Sequence, residues 1–334
     1  MKKQLQLLAA GEELSPEDTS AIFSLLLDSE SEITDAQIGA YLFSSAIRVP
    51  SSEELVAAAK QLRAQMRVFT RVSKGALLDT CGTGGSGFNA FNTSTAVALV
   101  CAAAGQLVAK HGNRAASSRS GSADVLERLG VKLVSDESEQ QKQLQENNFM
   151  FLFAPEHHPA AKRVAILRKE LGLRTIFNFL GPLVNPASAE YQLLGVSNLE
   201  ALEPMAKALC ALGIERALVV RARDGLDELS CGELSDVYEI SDNQITHRVL
   251  DPKSYGIEHH SVSEIEVSSA EESAKAMRSV LLGKPSAYRE LVLLNSGAAL
   301  YVCEQVGSIE DGIAMAREIL DSQKANKVLE GLSQ

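Results

Sequence analysis

Three glycines at G-x-G-x-x-G spacing, Gly82, Gly84 and Gly87, lie in the stretch DTCGTGGSGFNAFNTSTA (Asp79 to Ala96), and Asn92, Thr93, Ser94 and Thr95 follow them. A glycine turn between a strand and a helix presents free N–H groups and a helix N-terminus to an anion, so the chemistry it suits is phosphate binding. The spacing matches a dinucleotide-binding turn, but that reading needs an acid about 20 residues further on to hold a ribose hydroxyl. The first acid after Gly87 is Asp124, and the residues between are basic. No Lys-Ser or Lys-Thr follows the glycines, which also excludes a Walker A loop. The polar run from Asn92 to Thr95 sits where a helix would begin, and ordinary N-capping would account for it taken alone.

A second stretch, KHGNRAASSRSGSAD (Lys110 to Asp124), carries Lys110, Arg114 and Arg119 together with His111, Asn113 and several hydroxyls, and contains no carboxylate before its last residue. A solvated loop has no need of so many anion-binding groups without compensating acids. Two such loops suit a ligand with two separate phosphate groups. Cys81 lies inside the turn, but no histidine stands at a defined offset from it, so it reads as a packed small residue rather than a nucleophile.

The 334-residue chain is long enough for two domains, and its 45% hydrophobic and 22% charged composition is that of an ordinary globular protein. A net charge of −11 argues against nucleic acid as a partner. The basic cluster Lys162, Arg163, Arg168, Lys169 and Arg174 faces only Glu170, so positive charge is local and suits a small anion. Five dispersed cysteines without C-x-x-C spacing exclude a disulfide framework and a structural zinc site. The N-terminal apolar run stops at Gly11-Glu12-Glu13, too short for a signal peptide, and no run is long enough to span a membrane. A cytoplasmic protein is expected.

Helices must open the chain. Ser15-Pro16-Glu17-Asp18 offers an N-cap with proline at the first helical position, and Thr34 to Gln37 and Ser51 to Glu54 are capping boxes, giving three or four amphipathic helices. From Gly75 the pattern alternates between strand-like and helix-like runs: ALLDT, STAVALVCAAAG, LVAKHG, SADVLERLG, VKLVS, FMFLFAP, YQLLGVS, LEPMAKALCALG and ALVVRA. That alternation predicts an α/β fold with a mostly parallel central sheet. SDVYEI and ITHRVL predict a hairpin through Ser241 to Gln244, and the remainder from Tyr288 is helical again.

Four blocks in order, GTGGSG with FNTSTA, AKHGNRAASSRSGSADVLERLG, FAPEHHPAAKRVAILRKELGLRTIFNFLGPLVNPA and DGLDELS, closely resemble the anthranilate phosphoribosyltransferases of tryptophan biosynthesis. The resemblance runs over most of the chain. It implies a small all-helical domain of residues 1–72, completed by about residues 165–187. It also implies a larger α/β domain of residues 73–164 and 188–334, and a cytoplasmic homodimer joined through the helical domain. The implied reaction transfers the phosphoribosyl group of phosphoribosyl pyrophosphate to the amine of anthranilate, with two magnesium ions per active site.

On that resemblance, Gly82, Gly85, Ser86 and Asn92, Thr93, Ser94 and Thr95 hold the donor, as do Lys110, His111, Gly112, Asn113, Arg114, Ala115, Ala116, Ser117, Ser118 and Ser122. Gly82, His111, Asn113, His158 and Arg168 meet anthranilate, Arg168 through the acceptor's carboxylate. Ser94, Asp227 and Glu228 take the metal, although without the resemblance Asp227-Glu228 reads as a solvated turn whose charges contribute little to folding. Lys110, Asn113 and Arg168 are the implied catalytic set. The anthranilate nitrogen is a weak base that needs little deprotonation before attack, and no strong general base stands out. Two positions depart from the family pattern: Ser86 stands where relatives usually carry Asp, and Ala90 where they usually carry Thr. His157 also replaces a residue that is often Tyr. A different aromatic acceptor, or a non-catalytic paralogue that binds a phosphorylated ligand, are the alternatives. Retention of Lys110, Asn113, Arg168, Asp227 and Glu228 together speaks against the second.

Overall fold

The structure is a computed structural model that describes residues 1–72, 74–115 and 120–333. Four helices come first: α1 (Lys2–Ala9), α2 (Pro16–Leu27), α3 (Asp35–Ala46) and α4 (Ser52–Gln65). Three begin at the caps the sequence offers. Ser15 Oγ accepts the Asp18 N–H at 3.1 Å, and both capping boxes form, Thr34 with Gln37 and Ser51 with Glu54. Glu54 is fully buried and also pairs with both arms of the Arg48 guanidinium, so one carboxylate caps α4 and ties down the chain before it.

The alternating region follows as β1 (Leu77–Gly82), α5 (Thr93–Ala103), β2 (Leu107–Gly112), α6 (Ser122–Arg128), α7 (Glu137–Asn147) and β3 (Phe149–Phe153). The short α8 (Ala154–His157), α9 (Lys162–Leu171) and α10 (Ile176–Leu180) come next. Then come β4 (Tyr191–Gly195), α11 (Leu199–Ala211), β5 (Arg216–Ala222), β6 (Ser235–Ser241) and β7 (Gln244–Leu250). The chain closes with α12 (Ala270–Leu281), α13 (Ala287–Val302), α14 (Ile309–Asp321) and α15 (Lys324–Leu332).

The sheet order is β3-β2-β1-β4-β5-β6-β7. The first five are parallel and the last two antiparallel, so the mostly parallel sheet is as expected. Asp242 and Asn243 both take positive φ, 50° and 58°, which matches the type I′ hairpin turn that suits Asp and Asn. One expectation fails. Val131 to Ser135 forms no strand. Val131 and Val134 are buried at a spacing of three rather than two, so the segment packs as an irregular link between α6 and α7.

Helices cover both sheet faces, which is why the parallel strands read as near-continuous apolar runs. One apolar cluster joins α5, α12, α13, α14 and α15 to one face. Another joins α2, α3 and α4 to Val164, α10 and Leu183, and continues through α11 to Leu194, Val219 and Ile240 of the other face. The helical region therefore shares a core with the sheet. Every loop that the sequence marks for chemistry leaves the carboxyl end of a parallel strand. Strand order reverses at β1, flanked by β2 and β4, and that is where open α/β sheets place their crevice. No helix among the described residues is long and apolar enough to cross a membrane.

Candidate active site

The glycine turn leaves β1 at Gly82. Gly85 has φ of +76°, and a Cβ there would lie 0.9 Å from Arg174 Nη1, so the turn is glycine both by conformation and because a guanidinium lies on it. Arg174 comes from the link between α9 and α10, and its Nη2 stands 3.3 Å from Ser197 Oγ. The close approach of β4 to the acid pair also requires glycine. A Cβ on Gly195 would stand 1.7 Å from the Asp227 carbonyl oxygen.

Asn92 is the N-cap of α5 but its side chain does not cap. Its Oδ1 accepts from Ser120 Oγ at 2.6 Å and Ser273 Oγ at 2.8 Å, which ties the glycine stretch to the end of the second loop and to α12. Thr93 turns its hydroxyl back to the Phe91 carbonyl, and Thr95 is fully buried and does not line the cleft. Asn92, Thr93 and Ser94 line the cleft, and the Ser94 hydroxyl meets one of its cations. Ser94 receives Lys110 Nζ on its Oγ at 3.1 Å, and its backbone lies against the Glu228 carboxyl.

Lys110 is only 2% exposed, and its ammonium also donates to the Thr80 carbonyl. Burial pulls its pKa down, against the charges of Asp79, Cys81 and Glu228. The expectation that the second loop's cations lack compensating acids is corrected at Arg114. Both Nη atoms bind Glu127, at 2.5 and 2.7 Å, and Asp124 lies 3.3 Å away, because the start of α6 turns its acids back over the loop. Asp124 also accepts the N–H groups of Ala115 and Gly121, at 2.9 and 3.0 Å, which closes the loop. Ser122 Oγ donates to the Asn113 carbonyl. Ala116, Ser117 and Ser118 lie outside the described residues, as does Arg119. Cys81 is not poised as a nucleophile: burial and the neighbouring Asp79 push its thiol well up.

These residues wall a polar cleft of about 320 Å³, which Gly82, Gly85, Ser86, Gly112, Asn113, Ser122, Asp227 and Glu228 all line. Asp227 and Glu228 do not form a solvated turn. They sit in the cleft wall with little of their surface open, and burial raises both carboxyls. Glu228 is pushed up to about 8 by burial and by the Asp227 charge, with Lys110 opposing. For Asp227, its own backbone, the Ser86 hydroxyl and Arg174 work against burial. Ser86 thus meets Asp227 directly, and an Asp in its place would put a third carboxylate there.

Beside the cleft runs a mostly apolar tunnel of about 450 Å³, lined by Leu62 of α4, Pro155, His158, Phe177 and Val184 among others. Arg168 of α9 points into it. Its Nη2 lies 3.3 Å from Asn178 Oδ1 and its guanidinium 5.3 Å from the Phe177 ring centre, while Nε has no partner and no carboxylate pairs with it among the described residues. A half-buried guanidinium without an acid is a site for an incoming anion. His111 and His158 lie tilted against each other with ring centres 5.2 Å apart, and burial lowers their pKa values to about 3 and about 4. His157 turns away, bonded to the Arg67 carbonyl. A larger groove of about 680 Å³ among α2, α4 and α11 shares no lining residue with cleft or tunnel.

Arg174 and Asn178 both line the cleft, and neither is singled out by the sequence reading beyond Arg174's place in a basic cluster. The signal is present in the LRTIFN block, but only the fold shows that Arg174 reaches Gly85.

The residues fit a magnesium ion. Two largely buried carboxyl groups with no cation within salt-bridge distance among the described residues are oxygen ligands of the kind a hard cation takes and would ionise. Among the described residues no group of three or more His, Cys, Asp or Glu could hold a metal by itself, so further oxygens must come from substrate and water.

The chain resembles known proteins over nearly its whole length. Residues 2–66 match the family described as "Glycosyl transferase family, helical bundle domain", and residues 74–326 match "Glycosyl transferase family, a/b domain". The anthranilate phosphoribosyltransferase of Thioalkalivibrio sulfidiphilus is 44% identical over 332 residues, 99% of this chain and 97% of the relative. The crystal structure of the enzyme of that name from Thermus thermophilus superposes with a TM-score of 0.89 at 39% identity, covering 98% of each chain. That from Saccharomyces cerevisiae, in complex with PRPP and Mg, gives 0.87 at 29% identity over 99% of this chain and 97% of the other.

Proposed function

The chain belongs to the anthranilate phosphoribosyltransferase family, and from that membership we propose that it moves the phosphoribosyl group of phosphoribosyl pyrophosphate onto the amine of anthranilate, releasing pyrophosphate. One observation carries the reading of its residues. A polar, glycine-floored cleft and an apolar tunnel with a lone guanidinium lie side by side and share His111 and Asn113 as a common wall. A diphosphate suits the first and an aromatic acid the second.

Arg168 pairs with the anthranilate carboxylate and aims the amine at the shared wall, while the apolar lining holds the ring. The glycine turn, the start of α5 and the Lys110–Asn113 segment hold the donor so that its anomeric carbon faces the tunnel. Two substrates fixed in line react as one, which is the larger part of what such a site supplies. Asp227 and Glu228, with Ser94 beside them, hold magnesium; two ions per site fit the two acids and the two phosphates. Magnesium, when bound, neutralises charge that grows on the departing diphosphate. Lys110 and the backbone donors of the turn add fixed positive potential there.

We assign residues 1–72 with about 165–187 to a helical unit and the remainder to a donor-binding unit, supported by the apolar cluster that joins α2–α4 to α10. A homodimer through the helical unit is supported by Phe43 on α3 and Ile47 just after it, which are 53% and 71% exposed. A cytoplasmic location suits the substrates. The test is anthranilate fluorescence followed with purified protein. It falls only when donor and magnesium are both present. Equal loss without the donor, or none with folded protein, overturns the proposal.

A further inference from the structure

Among the described residues, the cleft and the tunnel have two lining residues in common, His111 and Asn113. On the transferase reading above, on which this inference rests, the amine nitrogen and the anomeric carbon must meet there. When the new C–N bond forms, the nitrogen becomes an arylammonium, far more acidic than an alkylammonium, and its proton must leave within the pocket.

His111 is built to receive it. The ring is 94% buried at the end of β2, and its backbone N–H is held by Asp79 Oδ1 at 3.2 Å. Nδ1 lies 3.1 Å from the carbonyl oxygen of Gly181, in the turn after α10. A carbonyl oxygen only accepts, so Nδ1 carries the hydrogen and Nε2 presents a lone pair. That Nε2 is buried and has no hydrogen-bond partner among the described residues, an arrangement that costs stability unless a ligand's N–H meets it. His158, with its ring centre 5.2 Å from that of His111, also has unpartnered ring nitrogens among the described residues, but it lines the tunnel and not the cleft, so only His111 offers a free nitrogen to both. The other groups near the junction are engaged or inert. Asn113 has an amide, which does not take a proton. Lys110 is turned to Thr80 and Ser94, and Asp79 is bonded by His111 and Asn185.

We propose that His111 Nε2 accepts the proton that the acceptor amine loses. The nitrogen's electron pair forms the bond to the anomeric carbon, the electrons of the C–O bond leave with the diphosphate, and the N–H proton passes to Nε2. The ring faces His158, just after α8, and the Gly181 carbonyl, with Lys110 beside it in the chain, Asp79 of β1 on its backbone N–H and His157 acting on it only through its charge. Burial and the neighbouring histidines keep the imidazole neutral, so the base form is present throughout the neutral range, and a base this weak still suits so acidic a proton.

The test uses His111→Asn, whose amide can keep the bond to Gly181 while lacking Nε2, and His111→Ala, which opens space for added imidazole. General base catalysis predicts that kcat falls about 100-fold in both, while KM for donor and anthranilate stays within a few fold. Imidazoles added to His111→Ala restore rate, more so as their basicity rises. Donor binding by calorimetry establishes that each variant is folded; should His111→Asn fail it, His111→Gln takes its place. A variant that keeps wild-type kcat, or that loses only anthranilate KM with no rescue, overturns the proposal. A wild-type protein inert toward anthranilate would instead overturn the transferase reading.

Discussion

Arg168 reaches into the tunnel, with Asn178 and the Phe177 face beside it and no acid paired to it among the described residues. Arg168→Ala should therefore weaken use of anthranilate by about 2–3 kcal/mol, as for a charge-assisted pair left unmade, with donor affinity unchanged. Steady-state kinetics in both substrates checks this, and loss of the donor instead would move Arg168 to the phosphate site. The acid pair makes a second residue-scale prediction. Glu228 is raised to about 8, above the ordinary carboxylate range it has in the unfolded chain. Its favourable contribution is present below about pH 4.3 and is lost as pH rises toward 8, because the unfolded chain ionises first. Without metal, Asp227→Asn with Glu228→Gln should then melt at a higher temperature than wild type at pH 8 and lose that advantage near pH 4. In the assay the same variant needs more magnesium for half-maximal rate, and superimposable magnesium curves would place the metal elsewhere. Sequence alone would have made these exposed charges of no account to folding. Their burial depends on Gly195, far off in the chain, letting Asp227 press against β4. Types and order of residues were legible; the pairing of Arg114 with Glu127 and of Asn92 with Ser120 was not, because each needs a loop to fold back.

The elements put these groups in reach. The loop after β1 carries the glycines, the end of β2 with its loop the Lys110–Asn113 segment, and the loop after β5 the acids; β1 and β2 are adjacent, and the acids reach across the end of β4 beside Gly195. The link between α9 and α10 crosses above, bringing Arg174 onto Gly85. Gly85→Ala should fail at the donor side. Its left-handed φ alone costs about 1–2 kcal/mol for a residue with a Cβ, and the methyl group displaces Arg174. We expect donor KM to rise about tenfold or more, with a smaller change for anthranilate; an unchanged donor KM would mean that the turn does not carry the phosphates. Strands, caps and the hairpin were legible because each has a local cause: alternation, a side-chain oxygen, a pair of residues tolerant of positive φ. The Val131 segment was misread because two buried valines in a short apolar run do not tell a strand from a packed link.

At the scale of the molecule, helices and sheet share one apolar cluster, so the tunnel is walled from both sides, by Leu62 of α4 and by His111 of β2. Closing the acceptor against the donor then needs no distant element. The composition bounded the class of protein, and the ordered blocks pointed to the family. Sequence could not show that the two sites share His111 and Asn113 as a wall, because those residues gain their meaning only from the cavities on either side. The central claim is that one acceptor and one donor meet at that wall. The most direct measurement is a single turnover with donor, anthranilate and magnesium, in which anthranilate loss and pyrophosphate release are quantified in the same quenched samples. The account predicts one pyrophosphate for each anthranilate consumed, with the same time course. Pyrophosphate released without loss of anthranilate, or anthranilate lost without pyrophosphate, would contradict it.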